Sequence, residues 1–226
     1  MTDGDALRTL LQGLAHELRA PLQSMLGHLD LVRDGTHGAL APAQAEALAL
    51  VAANAERLLA VTKDVLQVAR IDAGRDHVFV GQVALEALLR REVDAVAPLA
   101  GAAGLRLELE CPPGLRAVTD GSKVARIVTN LLTNAIKFTP RGRVTVRAGR
   151  NGAGVFVQVE DTGTGIPPER HEDVFREYVR LDPAREGTGL GLSIARRLAH
   201  LCGGRLALDS APGKGTTVRL DLPAGA

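Results

Sequence analysis

Tryptophan is absent from the 226-residue chain, tyrosine occurs once and phenylalanine four times. With aromatics at 2%, aliphatic side chains must fill any core, and no series of flat rings is present on which single-stranded nucleic acid could stack. Charge of one sign is missing too: 27 Lys plus Arg stand against 26 Asp plus Glu, a net +1, which argues against a general phosphate-backbone binder. The two cysteines, Cys111 and Cys202, are too few for a disulfide framework, and no Cys/His cluster has zinc spacing. A reducing cytoplasm is the simplest setting. No apolar run approaches the roughly 20 residues that cross a bilayer, and no signal peptide opens the chain, so no membrane contact is expected of this segment. What the chain does have is 46% hydrophobic residues, enough for a proper core, and 25 glycines, several of them crowded into residues 161–191. Its length suits one large domain or two small ones.

Two helices open the pattern. Leu7, Leu11, Leu14, Leu18, Leu22, Met25, Leu29 and Val32 recur at gaps of four and three, which predicts one helix over 5–34. After the turn Asp34-Gly35-Thr36-His37-Gly38, Pro42 suits the first turn of a second helix. That helix carries Leu48, Val51, Ala55, Leu58, Thr62, Val65 and Ala69 at alternating gaps of three and four, and ends near Gly74. The pair forms an antiparallel hairpin. One hairpin buries little, so a four-helix bundle across a homodimer is expected, the plain alternative being a monomer with the following domain folded onto the seam. From about residue 77 helix and strand patterns alternate. Helices are predicted over 82–100, 121–138 and 188–202, and strands over 105–110, 144–148, 155–161, 206–209 and 216–220. The expected architecture is therefore an all-α hairpin domain, 1–75, followed by an α+β sandwich, 76–226, with helices on one face of a mixed sheet.

His16 lies two residues from Leu14 and from Leu18, roughly 200° away from each on a helix, and so faces away from the seam. An ordinary solvated histidine is the plain alternative. Two neighbours favour chemistry. Glu17 offers a carboxylate that can orient one ring nitrogen and make the other a better nucleophile. Pro21 cannot donate to the carbonyl of Glu17, which predicts a bend or loosened turn where a bulky partner can approach.

A second set of candidates lies in the α+β part. Asn130, Asn134 and Lys137, spaced i, i+4, i+7, share one face of a helix capped by Asp120, with Val124, Ile127, Val128, Leu131 and Ala135 on the other. Amide oxygens are hard neutral ligands suited to Mg²⁺, and an ammonium beside them neutralises phosphate; a merely polar helix face is the plain alternative. Along the strand Val155–Asp161, Val155, Val157 and Val159 mark the buried face, so Asp161 points inward at its end. A buried carboxylate needs donors. Adenine's exocyclic amine is one and guanine's carbonyl is not; a turn through Thr162 and Gly163 is the local alternative. Gly163 and Gly165 let the backbone come close to a flat group. Gly187-Thr188-Gly189-Leu190-Gly191 leads into a helix, whose unpaired N–H groups make an anion site. It matches neither the dinucleotide fingerprint nor the P-loop.

Together these segments resemble the sensor histidine kinases. Ala15-His16-Glu17-Leu18-Arg19-Ala20-Pro21-Leu22 is similar to their H box, Asn130–Thr139 to the N box, and Asp161–Gly165 to the first glycine box. Val174-Phe175-Arg176 with Tyr178 is similar to the F box, and Gly187–Gly191 to the second glycine box. The resemblance implies a Bergerat-type ATP-binding domain behind a dimerisation and phosphotransfer hairpin. His16 would take the γ-phosphoryl of ATP with Glu17 as base and pass it to an aspartate of a response regulator receiver domain, with input from a separate sensor protein or domain. The implied nucleotide site holds Asn130 and Asn134 at Mg²⁺, Lys137 at phosphate, Asp161 at adenine and Gly187, Thr188, Gly189, Leu190 and Gly191 at the triphosphate. Phe138, Gly163, Gly165 and Ile166 lie in the matching segments, and Arg180 matches a lid arginine. Two positions depart from the family pattern: Ala20 stands where Thr or Asn is common, leaving no group to position a water for phosphatase action, and only Leu181–Glu186 separate Arg180 from Gly187. A GHKL-type ATPase and a non-catalytic dimeric adaptor are the alternatives. Against the first, Asn130 stands where such ATPases carry a water-activating Glu; against the second, Asn134, Asp161 and both glycine segments are intact.

Overall fold

The computed structural model describes residues 18, 20–36, 38–152, 154–182 and 187–223. The chain divides into two compact units, Met1–Asp76 and His77–Ala226. His16, Glu17 and residues 183–186 lie outside the described residues, and with them the turn predicted beside His16 and most of the Leu181–Glu186 segment.

In the first unit, helix α1 covers 20–33, with Pro21 inside it, and α2 runs Pro42–Asp72. Pro42 occupies the first turn of α2, where its missing N–H costs nothing, and the Ala41 N–H donates to Gln44 Oε1 at 3.0 Å. The helix stops where Gly74 turns left-handed and donates its N–H to Ile71 O. The buried stripe of α2 differs from the predicted one. Ala52, Thr62, Leu66 and Ala69 are buried and Leu48, Ala55 and Leu59 half-buried, a 4–3 alternation through 52, 59 and 66. Val51 and Leu58 instead remain 53% and 46% exposed. The sequence has apolar residues at both 51/58 and 52/59, so periodicity alone selects a stripe about two positions wide.

The second unit is built on a five-stranded mixed sheet in the order β2-β4-β5-β7-β6: β2 Arg106–Glu110, β4 Arg143–Asn151, β5 Gly154–Asp161, β7 Thr216–Leu222 and β6 Arg205–Ser210. Among the described residues only the β2–β4 pairing is parallel; β4–β5 and β6–β7 form the antiparallel hairpins expected from their spacing. Helices α3 (Leu85–Ala102), α4 (Gly121–Phe138) and α5 (Gly191–Leu201) pack on the sheet and on one another. The core is aliphatic: Val124, Ile127, Val128 and Leu132 of α4, Val144 and Val146 of β4, Val157 of β5, Leu220 of β7 and Ile194 of α5 are all fully enclosed.

Three elements differ from the sequence expectation, one of them a strand, Arg116–Thr119, that no predicted element covers. Gly81–Ala84, whose last three positions fall in the predicted helix 82–100, is instead strand β1, paired antiparallel with β3 (Arg116–Thr119) in a small second sheet. Long-range bonds hold it extended: the Phe79 N–H donates to Asp120 Oδ2 at 2.9 Å and the Leu85 N–H to Leu115 O at 2.9 Å. Helix α5 begins at Gly191 rather than 188, because Gly187 and Gly189 take positive φ that a helix cannot contain. Among the described residues no helix is long and apolar enough to cross a membrane.

Candidate functional site

Helix α4 is the frame. Asp120 caps it, its Oδ1 accepting from the N–H groups of Ser122 and Lys123 and from the Ser122 hydroxyl, its Oδ2 from Phe79. Asp120 is only 2% exposed and pairs with the buried Lys123 ammonium at 3.7 Å. Burial alone pushes its carboxyl upward, but the donors from Ser122, Phe79 and Lys123 outweigh it and hold it below the usual carboxylate range. Val124, Ile127, Val128, Leu131 and Ala135 bury one side of α4, which fixes the rotation that presents Asn130, Asn134 and Lys137 on the other.

Two glycine-bearing segments meet that face. Asn130 Nδ2 donates to Gly191 O at 3.1 Å, and a Cβ on Gly191 would stand 3.7 Å from Asn134 Nδ2. A Cβ on Gly187 would stand 2.7 Å from Lys137 Nζ, so the ammonium lies beside the turn that leads to α5; it also sits 4.7 Å from the centroid of the Phe138 ring. Thr188 Oγ1 accepts from the Leu190 N–H at 3.1 Å, and Gly189 O accepts from Tyr178 N at 3.1 Å. Tyr178 itself has φ +61, and a side chain on Gly189 would press on its backbone at 2.9 Å. The Leu190 side chain belongs to the core, 1% exposed, so only its backbone faces the turn. Arg180 is half-buried in the segment just before the undescribed residues.

The other segment is docked at the end of α4. The Thr164 N–H donates to Phe138 O at 3.2 Å, and a Cβ on Gly163 would collide with that same carbonyl. Gly165, at φ +68, has Ala211 O where its side chain would be. Asp161 ends β5 facing inward, 8% exposed, as the run of alternate valines requires. Its Oδ1 accepts from Gly163 N at 2.8 Å and Thr216 N at 3.3 Å. Burial pushes its carboxyl above the ordinary value despite donors from Gly163, Thr216 and Thr139, with the nearby Glu160 charge adding to the rise. The local turn through Gly163 is therefore present, and burial still disfavours the ionised carboxylate.

Three residues of this region were not singled out from sequence: Gly215, whose missing Cβ admits Asp161 O, and Ser210 and Thr216, which tie the glycine segment to β6 and β7. The signal available was the Gly213-Lys214-Gly215-Thr216 turn, a second glycine pair directly before a strand.

Residues 119–226 match the family model for the histidine kinase-, DNA gyrase B- and HSP90-like ATPase, and residues 6–74 that for the His Kinase A (phospho-acceptor) domain. The chain is 30% identical to the mycobacterial sensor histidine kinase MprB structure, with a TM-score of 0.57 over 64% of this chain and 97% of that one. The chain belongs to the histidine kinase family. It carries both parts of a sensor histidine kinase catalytic core, phospho-acceptor helices and ATPase-type domain. It is 39% identical to the histidine protein kinase DivJ of Caulobacter vibrioides over 94% of this chain and 36% of that protein. The structure of full-length ShkA in complex with AMPPNP shares 29% identity and a TM-score of 0.79 over 95% of this chain and 45% of that one. The histidine kinase core thus spans about a third of the curated relative and under half of the ShkA chain.

Proposed function

We propose that this core is an ATP-dependent protein-histidine kinase of a two-component system. The observation that carries the proposal is the convergence of Asn130, Asn134, Lys137, Asp161 and both glycine segments about one helix, in a chain whose residues 6–74, a range that includes His16, match a phospho-acceptor domain. Asp161 accepts the exocyclic amine of adenine; Gly163, Gly165 and Ile166 let the backbone approach the ring. Gly187–Gly191 and the first N–H groups of α5 receive phosphate oxygens, with Lys137 as the counter-charge and Arg180 beside the lid. Phe138 supports Lys137 through its ring.

Among the described residues no three His, Cys, Asp or Glu side chains gather as metal ligands. The donor set that fits a hard cation is the amide pair: Asn130 gives its Nδ2 to Gly191, which leaves Oδ1 to face a metal. Held by Asn130 and Asn134, Mg²⁺ would neutralise charge on the phosphate oxygens. A ring nitrogen of His16 attacks the γ-phosphorus, the bond to the β–γ bridging oxygen breaks, ADP leaves, and Glu17 takes the imidazole proton. Positioning and charge neutralisation do most of the work in such transfers. The phosphoryl group then moves to an aspartate of a receiver domain. Asn130 cannot take a proton from water, which disfavours plain ATP hydrolysis.

The hairpin unit is proposed as the homodimer contact, since one copy leaves Leu50, Val51 and Leu58 of α2 exposed. We place the protein in the cytoplasm, with input from a sensor protein or sensor domain. The test is labelling with γ-³²P-ATP and Mg²⁺: the wild type becomes labelled, whereas His16→Gln and Asn134→Ala, each alone, do not. A His16→Gln chain labelled as well as the wild type would overturn the assignment.

A further inference from the structure

Tyr178 has φ +61 and is, among the described residues, the only one other than glycine with positive φ. An L side chain is strained there, and such strain persists only where the surroundings over-determine it. The ring does little to offset the strain, because the residue is 64% exposed. Hydrogen bonds of the backbone hold the conformation instead. The Tyr178 N–H donates to Gly189 O at 3.1 Å, and the N–H at the other edge of that same peptide, of Leu190, donates to Thr188 Oγ1 at 3.1 Å. The Gly189–Leu190 peptide is thus held at both edges, and its plane sets how the turn into α5 presents its other N–H groups. The approach to Tyr178 is fastened to α5 in turn. Phe175 is buried, and the Arg196 guanidinium lies 4.8 Å from its ring centroid and donates to Phe175 O at 3.4 Å. Arg196 also meets Glu172 at 3.2 Å, but that side chain is 84% exposed and such a pair contributes little. Arg197, the next residue, binds Glu177, which directly precedes Tyr178.

We infer that Arg196 is a positioning residue for the phosphate-binding turn. By clamping Phe175 against α5 it keeps Tyr178 left-handed, and Tyr178 keeps the Gly189–Leu190 peptide in the orientation that a polyphosphate needs. The inference rests on the ATP site proposed above and deepens it: Arg196 acts through Phe175 and Tyr178 rather than on the nucleotide. Without the clamp, Tyr178 relaxes to negative φ, its N–H turns away from Gly189 O, and the peptide is free to flip. A glycine at position 178 would hold the same φ without strain, so the turn would no longer depend on Arg196.

The test is calorimetric binding of ATP with Mg²⁺ to the 226-residue chain as wild type, Arg196→Ala, Tyr178→Gly and the double variant. Amide hydrogen exchange at Tyr178, followed by NMR without nucleotide, reads the clamp separately. Expected in Arg196→Ala is an ATP Kd about tenfold weaker and a Tyr178 amide that exchanges about tenfold faster. In the Tyr178→Gly background the same substitution changes the ATP Kd by less than about twofold, which a general loss of stability would not produce. Arg196→Lys keeps a cation over the ring but not the fork, so it gives a smaller loss that Tyr178→Gly likewise cancels; it carries the test where Arg196→Ala does not fold. An unchanged ATP Kd or an unchanged Tyr178 exchange rate in a folded Arg196→Ala chain overturns the inference and leaves the ATP site standing. So does the full loss persisting beside Tyr178→Gly. A wild type that binds no ATP overturns both.

Discussion

Asp161→Asn separates the two things that carboxylate does. Asparagine is nearly isosteric, so its Oδ1 can keep the bonds from Gly163 N and Thr216 N, 2.8 and 3.3 Å in the native site. What disappears is the buried negative charge and with it a strong acceptor for the adenine amine. A hydrogen bond to a charged group contributes about 1.5–3 kcal/mol, so ATP affinity should fall roughly 10- to 150-fold. Stability should move the other way. Burial holds the Asp161 carboxyl above its ordinary 3.8, which means that the ionised form is disfavoured in the folded chain. Between 3.8 and the raised folded value the native state binds more proton than the unfolded one, so this group's contribution falls as pH rises through that window. Asp161→Asn removes that penalty and should unfold at the same or higher urea concentration at neutral pH. ATP affinity of the wild type should likewise weaken on acidification through the raised value, as the protonated carboxyl ceases to accept. Calorimetry for ATP and urea unfolding followed by circular dichroism read the two effects independently. Unchanged ATP affinity in a folded Asp161→Asn chain would refute the adenine assignment.

Asp120→Ala should cost about 3 kcal/mol or more, because it removes the α4 cap, takes the acceptor from the Phe79 N–H and takes a carboxylate away from the buried Lys123 ammonium. The native contribution has the opposite pH sign from Asp161: the lowered carboxyl stabilises fully above 3.8 and loses that effect as pH falls through its folded value. Urea unfolding along a descending pH series should show the wild type converging on Asp120→Ala at low pH, and parallel curves would contradict this. Val51→Glu with Leu58→Glu puts two charges on the exposed flank of α2 and should convert a dimer to a monomer in sedimentation, each apolar side chain contributing about 1.5–3 kcal/mol when buried; a persisting dimer would rule out that flank as the contact.

The sequence was most informative where one period dominates. The five apolar residues that define α4 are buried, and the alternate valines of β5 carry Asp161 inward as their spacing requires. It was least informative where distant chain decides. Gly81–Ala84 is a strand because of Asp120 and Leu115, more than 30 positions away, and nothing in its own four residues says so. The stripe of α2 shifted from 51/58 to 52/59 because apolar residues fill both rows. Ser210 and Thr216 escaped notice for a related reason. Two hydroxyl residues flanking a glycine turn look like ordinary hairpin chemistry until the fold brings Asp161 and Ile166 against them.

The central claim is that the γ-phosphoryl of ATP ends on one imidazole. Incubation of the wild-type chain with Mg²⁺ and ATP, followed by proteolysis and mass spectrometry under alkaline conditions that preserve a phosphorus–nitrogen bond, locates the group directly. The kinase assignment predicts an acid-labile phosphoryl group on the peptide that contains His16 and on no other. Phosphate found on a serine or threonine, or released entirely to water with no modified peptide, would contradict it.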